Sequence, residues 1–294
     1  MGPRRARFTD GRWHFQHGPI DLIIGADGDA PAVDVAHAAA WRRFETILDE
    51  LVAELPMLKQ PVRGHSPSMR GVVARRMWQA CAPHGDRFIT PMAAVAGAVA
   101  DEVIVSYRRA GVRRAWVNNG GDIALHLVEG ESLRTGIHAD LAHTEPLLDG
   151  YFDIAHDMPV RGIATSGWRG RSFSMGIADS VTVIARTAAE ADAAATMIAN
   201  AVNVDDARIV RRAASILKDD SDLGDRLVTV AVPPLDVDGV RCALHAGVER
   251  AHTLRDEGLI VACALFCQGQ AMICEAHSGR WHATRVDVLN LEAA

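Results

Sequence analysis

The chain of 294 residues has no apolar run approaching the roughly 18 residues that a membrane-crossing helix requires. Its basic beginning, Met1-Gly2-Pro3-Arg4-Arg5-Ala6-Arg7, is not followed by an apolar stretch, and no cysteine stands nearby to carry a lipid. A cytoplasmic protein without a membrane partner is the expectation. Positive charge is not in excess either. Thirty-one Lys and Arg against 37 Asp and Glu leave a net charge of -6, which argues against a general nucleic-acid binder. The arginines Arg63, Arg70, Arg75 and Arg76 lie close together and read as a solvated helix face, with a local basic patch as the alternative. Cysteines are few and odd in number: Cys81, Cys242, Cys263, Cys267 and Cys274 do not make a disulfide framework. Cys263 and Cys267 stand as C-x-x-x-C with Cys274 beyond, looser than a redox or metal motif needs. The run Leu259 to Phe266 reads instead as a buried strand in which cysteine is a small apolar residue. There is no Walker loop and no G-x-G-x-x-G, and no Ser-His-Asp or Cys-His grouping stands out. The 13 histidines show no metalloprotease spacing, and His138 and His143 are a poor helical pair. No repeat or low-complexity linker appears. Residues 1–294 therefore read as a single domain, in which two subdomains are admitted without a marked boundary.

What is present suffices for a folded protein. Hydrophobic residues make up 49% and charged residues 23%, enough for a substantial core. Residues 11–25 alternate about His17-Gly18-Pro19, as an opening hairpin does. Apolar residues at helical spacing predict a long helix over 32–55, a loop over 56–67, a second helix over 69–82, and an Ala- and Gly-rich, buried helix over 92–110 ended by Gly111. Strands follow over 114–118 and 123–128, then shorter ones to about Thr165. A β-branched strand is expected over 180–186, a helix over 188–202, a strand over 227–232, a helix over 237–256, and a closing hairpin turning at Gln268-Gly269. Strands and helices mix without regular βαβ alternation, which predicts an α+β fold of mixed sheets and packed helices.

Three segments can carry chemistry. Asn118-Asn119-Gly120-Gly121-Asp122 lies between two strands. Paired glycines take φ > 0 and bring the backbone close to a ligand, with N–H groups that can cradle phosphate oxygens and Asp122 to accept from a ribose hydroxyl. The alternative is an ordinary hairpin turn. Ala164-Thr165-Ser166-Gly167 supplies two hydroxyls and a glycine for a phosphate or a ring carbonyl. Trp168, Arg169 and Arg171 follow, able to stack on an aromatic ligand and pair with phosphates. Asp192-Ala193-Ala194-Ala195-Thr196 sets a carboxylate and a hydroxyl on one helix face with small residues between, oxygen ligands of the kind magnesium takes. Its alternative is a solvated acid near a helix start.

In this order the motifs resemble those of the FAD:protein FMN transferases, the ApbE family. Gly97-Ala98-Val99-Ala100-Asp101 is similar to the family's Gly-x-Ala-x-Asp helix. Gly120-Gly121-Asp122, Ala164 to Gly167 and Asp192 to Thr196 match its later motifs, so that the resemblance covers about residues 90–205. It implies a layered, T-fold-like ApbE fold. It also implies magnesium held by the backbone carbonyl of Val99 and the side chains of Asp192 and Thr196, and FAD or FMN against Gly120, Gly121, Asp122, Thr165 and Ser166.

The chain departs from that pattern between Gly167 and Ser180. The family's His-Ile-Ile-Asp-Pro-x-Thr-Gly segment is replaced by Trp168 to Ala178 and then Asp179, with neither histidine nor proline, and the early Phe-x-x-x-Ser segment is not evident. The chain is more similar to a shorter sister family of ApbE-like proteins found in archaea and bacteria. Without the histidine, Asp179 is the nearest substitute base in sequence. The expectation is a magnesium-dependent transferase or hydrolase acting on the pyrophosphate of FAD or a related nucleotide. The alternative is a module that binds a flavin, pterin or nucleotide without chemistry. The acceptor protein is unspecified and a homo-oligomer is admitted.

Overall fold

The opening alternation folds into an antiparallel meander, with β1 (Arg4–Arg7) on β2 (Trp13–His17) and β2 on β3 (Ile20–Gly28). The computed structural model describes residues 2–64, 67–137, 150–275, 281–283 and 287–288; His138 and His143 lie outside the described residues. Helices α1 (Ala30–Leu58), α2 (Val72–Cys81) and α3 (Val95–Ile104) follow. Then come the strands β4 (Val112–Asn119), β5 (Asp122–Leu127), β6 (Ser132–Ile137), β7 (Gly150–Ala155), β8 (Gly162–Ser166) and β9 (Ser180–Ala185), and the helix α4 (Ala188–Ala201). The chain continues through β10 (Val210–Ala213), α5 (Ala214–Leu217), β11 (Leu227–Ala231), α6 (Val237–Asp256), β12 (Ala262–Cys267), β13 (Gln270–Glu275), β14 (Trp281–Ala283) and β15 (Asp287–Val288). The fold class is α+β, as expected. No helix among the described residues is long and apolar enough to cross a membrane.

The described chain divides into two compact units. The first takes Met1–Leu133, Ala155–Ala164 and Ala185–Ala193, and the second Arg134–Ile154, Thr165–Ile184 and Ala194–Ala294. In the first, strands run in the order β1-β2-β3-β4-β5-β8, with antiparallel pairing from β1 to β8. Buried positions on α1 recur every three or four residues: Ala36, His37, Ala40, Phe44, Ile47, Leu51, Glu54 and Leu58. That stripe is the helical signature read in the sequence. Phe15 packs edge-on against Trp41 at 5.0 Å between ring centroids, and lies 5.5 Å from Phe44. His37 Nδ1 bonds the Tyr107 hydroxyl at 2.7 Å, and burial pushes the imidazole down to about 4, so it is neutral at physiological pH.

Helix boundaries differ from expectation where tertiary contacts intervene. α1 continues past Pro56 to Leu58, which is fully buried. A proline this close to the helix end removes one hydrogen bond that the terminal turn can spare, and burial of Leu58 holds the turn in place. The helix expected over 69–82 starts at Val72, because the buried Glu54 carboxylate takes the N–H groups of Arg70 (2.6 Å) and Gly71 (2.8 Å) and holds that stretch extended before the first turn. The expected arginine face is partly engaged: Arg76 donates to Ala98 O and to Glu102 at 2.9 Å. The third helix is shorter than expected, α-helical over ten residues and flanked by 3-10 turns at 91–94 and 105–107.

In the second unit all six residues of β9 are buried. β9 pairs antiparallel with β12, β12 with β13 across the Gln268-Gly269 turn, and β13 runs parallel to β15. β10 pairs with β11, and β14, β7 and β6 make a three-stranded sheet. α6 starts at a local cap: the Asp236 side chain accepts from Gly239 N at 2.7 Å.

Candidate functional site

The Gly97-Ala98-Val99-Ala100-Asp101 segment of α3 has a direct physical role. A Cβ at Gly97 would lie 2.3 Å from the carbonyl oxygen of Ala188, so only glycine lets α3 approach the start of α4 this closely. One turn along, the buried Asp101 carboxylate accepts the N–H groups of Ala188 (3.0 Å) and Ala189 (2.9 Å), and Thr187 Oγ1 accepts from Glu190 N. These groups satisfy donors that a helix start leaves without intrahelical partners. Burial pushes the Asp101 carboxyl up to about 6, against the pull of the two N–H groups.

Asp192 is not the solvated acid of the alternative reading. It is half-buried and turned onto α3, where Oδ2 accepts from Gly97 N at 3.0 Å. Burial first, and then the negative charge of Asp122, push its carboxyl well above the usual range. The Gly97 and Ala96 N–H groups oppose that shift, and Asp101 adds to it. The charges of Asp122 and Asp101, both in the first unit, thus bear on Asp192. Thr196 stands one turn beyond Asp192 on α4, and Val99 is buried in the middle of α3.

The Gly-Gly segment is a two-residue hairpin. Asn119 pairs with Asp122, while Gly120 and Gly121 take φ of +67° and +114°. Both values are closed to most side chains, which accounts for the glycines through turn geometry. The Gly121 N–H is already taken by Asn118 Oδ1 at 2.8 Å, and Asn119 Nδ2 donates to Ala96 O at 3.1 Å. The side chains of Asn118 and Asn119 therefore fix the turn and tie it to the residue before Gly97. Gly120 is exposed and Asp122 is buried.

The remaining sequence-predicted residues lie in the second unit. Thr165 Oγ1 is 2.9 Å from Thr182 Oγ1 across neighbouring strands, Ser166 is half-buried and Arg171 is exposed. Arg169 stacks its guanidinium on Trp168, 5.1 Å from the ring centroid, and pairs with Asp179 at 3.3 Å. Asp179 is buried and also accepts from Trp168 Nε1 and from the backbone N–H of Gln268. Gln268 is the one non-glycine with positive φ among the described residues, at +44°. Its side chain is held at both ends, accepting from Leu235 N and donating to Pro233 O. Sequence reading did not find this clamp. The one local signal was a non-glycine first residue in a tight hairpin turn.

A family model described as AbpE bacteria matches residues 5–273. The chain belongs to that family. Among relatives of this AbpE member, the UPF0280 protein of Methanoregula boonei is 35% identical over 185 residues, 60% of this chain and 73% of the relative. The UPF0280 protein of Methanoculleus marisnigri is 34% identical over 203 residues, 68% of this chain and 79% of the relative. Among solved structures, the flavinyl transferase ApbE of Pseudomonas stutzeri in its apo form aligns over 69% of this chain and 84% of its own, at 14% identity and a TM-score of 0.37. The ApbE protein of Thermotoga maritima aligns over 69% and 88%, at 14% identity and a TM-score of 0.35.

Proposed function

We propose that this AbpE family member is a magnesium-dependent enzyme acting on the pyrophosphate of FAD or a related nucleotide, by transfer of FMN or by hydrolysis. The observation that carries the reading is Asp192, a carboxylate turned inward and burdened by the charge of Asp122. A divalent cation would relieve that repulsion. Asp192 and the carbonyl of Val99, both in the first unit, are the residues that would hold it, and the hydroxyl of Thr196 keeps only the metal-holding role that the family resemblance implies. Among the described residues no group of three or more His, Cys, Asp and Glu is arranged to hold a metal by itself. A hard cation can take one carboxylate and fill its shell with phosphate oxygens and water. Magnesium, when bound, supplies charge neutralisation at the phosphate oxygens. Asp122, next to the Gly120-Gly121 turn, would accept from a ribose hydroxyl. Thr165 and Ser166 keep, as a separate group, the flavin-facing role that the family resemblance implies, and Arg169 and Arg171 beside them are cations able to pair with phosphates. An acceptor protein belongs to the transfer reaction alone, and a homo-oligomer is compatible with both reactions.

A second reading, a binding module for a flavin, pterin or nucleotide, is favoured by Asp179. Its carboxylate is engaged by Gln268, Trp168 and Arg169, which suits a structural clamp better than a base. One experiment separates the readings: incubate the purified protein with FAD and magnesium and follow AMP by chromatography and bound flavin by absorbance. Magnesium-dependent AMP release supports the enzyme. Bound, uncleaved FAD moves the conclusion to the binding module, and the absence of both binding and release defeats the proposal.

A further inference from the structure

The second unit holds a pair of thiols that neither the family resemblance nor the proposed reaction uses. Cys263 on β12 and Cys274 on β13 stand directly opposite each other in the antiparallel hairpin, and both are buried and reduced. The two-residue turn at Gln268-Gly269 sets this register. Counting back from Cys267 and Gln270, Cys263 and Cys274 form a hydrogen-bonded cross-strand pair, a position where Cα atoms are about 5.5 Å apart. That separation lies inside the range a disulfide spans without backbone movement. The strands emerge on one face at these positions, so the two side chains share that face.

A third residue completes the group. Arg255, in the last turn of α6, places Nη1 3.7 Å from Cys274 Sγ and reaches the carbonyl of Glu275. Its side chain is 28% exposed and pairs with the exposed Asp256 at 2.9 Å, so the group that touches Cys274 itself reaches solvent. A cation against a sulfur stabilises the thiolate, the reactive form of cysteine. The Cys274 thiol is accordingly shifted below the ordinary cysteine range, first by the hydrogen bond from Cys263 and further by Arg255, while Cys263 is shifted up. The other cysteines lack this arrangement. Cys267 faces Ile177 O and is pushed up to about 12 by burial, Cys81 bonds Thr90 O, and Cys242 is exposed.

We propose that Cys263 and Cys274 form an oxidisable dithiol that closes to a cross-strand disulfide with a small hydroperoxide as oxidant, Cys274 being the attacking sulfur and Cys263 the resolving one. The Cys274 thiolate attacks one peroxide oxygen, and the O–O bond breaks to leave a sulfenic acid and, after proton uptake, water. Cys263 gives up its proton and attacks the Cys274 sulfur. The S–O bond breaks, and the hydroxide takes the proton and leaves as a second water. Two thiols and one hydrogen peroxide thus become one disulfide and two waters. Arg255 stays protonated throughout and acts only by positioning and by favouring the thiolate.

The test uses the full chain. Native protein is titrated with hydrogen peroxide, remaining thiols are alkylated, and the digest is read by mass spectrometry with and without dithiothreitol. The expected result is a Cys263–Cys274 linked peptide, 2 Da lighter than the sum of its reduced parts and lost on reduction, at peroxide levels that leave Cys81 and Cys267 as thiols. Arg255→Gln removes the cation beside Cys274, lowers the thiolate fraction and therefore slows closure, while the circular dichroism spectrum confirms the fold. In Cys263→Ser, Cys274 stops at the sulfenic acid and is trapped by dimedone. Alkylation of both thiols in the peroxide-treated native protein overturns the proposal, as does over-oxidation of Cys274 without a bridge. Closure at an unchanged rate in Arg255→Gln removes Arg255 from it.

Discussion

Asp101 on α3 accepts the backbone N–H of Ala188, 87 residues further along the chain, and through that bond it holds the start of the helix that bears Asp192. With the bond to Ala189, it makes a side chain from one helix the cap of another. Asp101→Ala deprives two N–H groups of their acceptor. At neutral pH it is expected to destabilise the protein by about 1–2 kcal/mol, the usual size of a lost helix cap. Urea unfolding followed by circular dichroism measures it, and a change within error would mean the cap is replaced by water.

The same carboxylate has a pH signature. Its folded value, about 6, lies above the ordinary 3.8, so between these values the native state binds a proton that the unfolded chain releases. Its contribution to stability is fully present below about pH 4 and is lost as pH rises to about 6, at up to about 1.4 kcal/mol per unit. The advantage of wild type over Asp101→Asn should therefore shrink across this window and stay level above it. Thermal melts of both chains at half-unit steps read the difference. An advantage that grows with pH would contradict the raised value.

Gly97→Ala places a Cβ 2.3 Å from Ala188 O and 2.5 Å from its carbonyl carbon. Backbone atoms cannot swing aside as a side chain end does, so the helices must separate and both Asp101 and Asp192 lose their donors. A loss of about 1–3 kcal/mol is expected, as for other forced insertions into packed contacts. A Tm unchanged by the substitution would show that α3 and α4 are not held at this distance.

Asp192→Asn keeps the shape and removes the charge. With a nucleotide diphosphate present, magnesium affinity should fall at least tenfold in calorimetry, and stability should rise or hold because a carboxylate disfavoured by burial and by the charge of Asp122 is gone. Equal magnesium affinity in the two chains would remove Asp192 from the metal site.

Asp179→Ala leaves the Arg169 guanidinium, the Trp168 indole N–H and the Gln268 N–H without their buried acceptor. A loss of about 1–3 kcal/mol is expected, as when hydrogen-bonding groups lose a buried acceptor. The hairpin at Gln268 should become more open to amide exchange. If Asp179→Asn retains full stability and loses only AMP release, Asp179 is a base after all.

Much of the fold was legible because its signals are local. α6 spans the residues 237–256 expected for it, and the hairpins at Gly18, at Gly120-Gly121 and at Gln268-Gly269 turn where short polar or glycine steps interrupt alternating strands. The order of the family motifs was likewise readable, and the family match over 5–273 agrees with it. The sequence by itself also determined the register that sets Cys263 against Cys274, since a two-residue turn admits one pairing. Only the tertiary structure decided what the side chains do. Glu54 delays the start of α2 across 16 and 17 residues, Asp101 caps α4 across 87, and Asp179 clamps the Gln268 turn across 89. Asp192 proved half-buried and electrostatically burdened rather than solvated, because its environment comes from Gly97 and Asp122 on other elements. Hydrogen bonds and burial of this kind depend on distances between segments far apart in the chain, and residue spacing along a single segment contains no information about them.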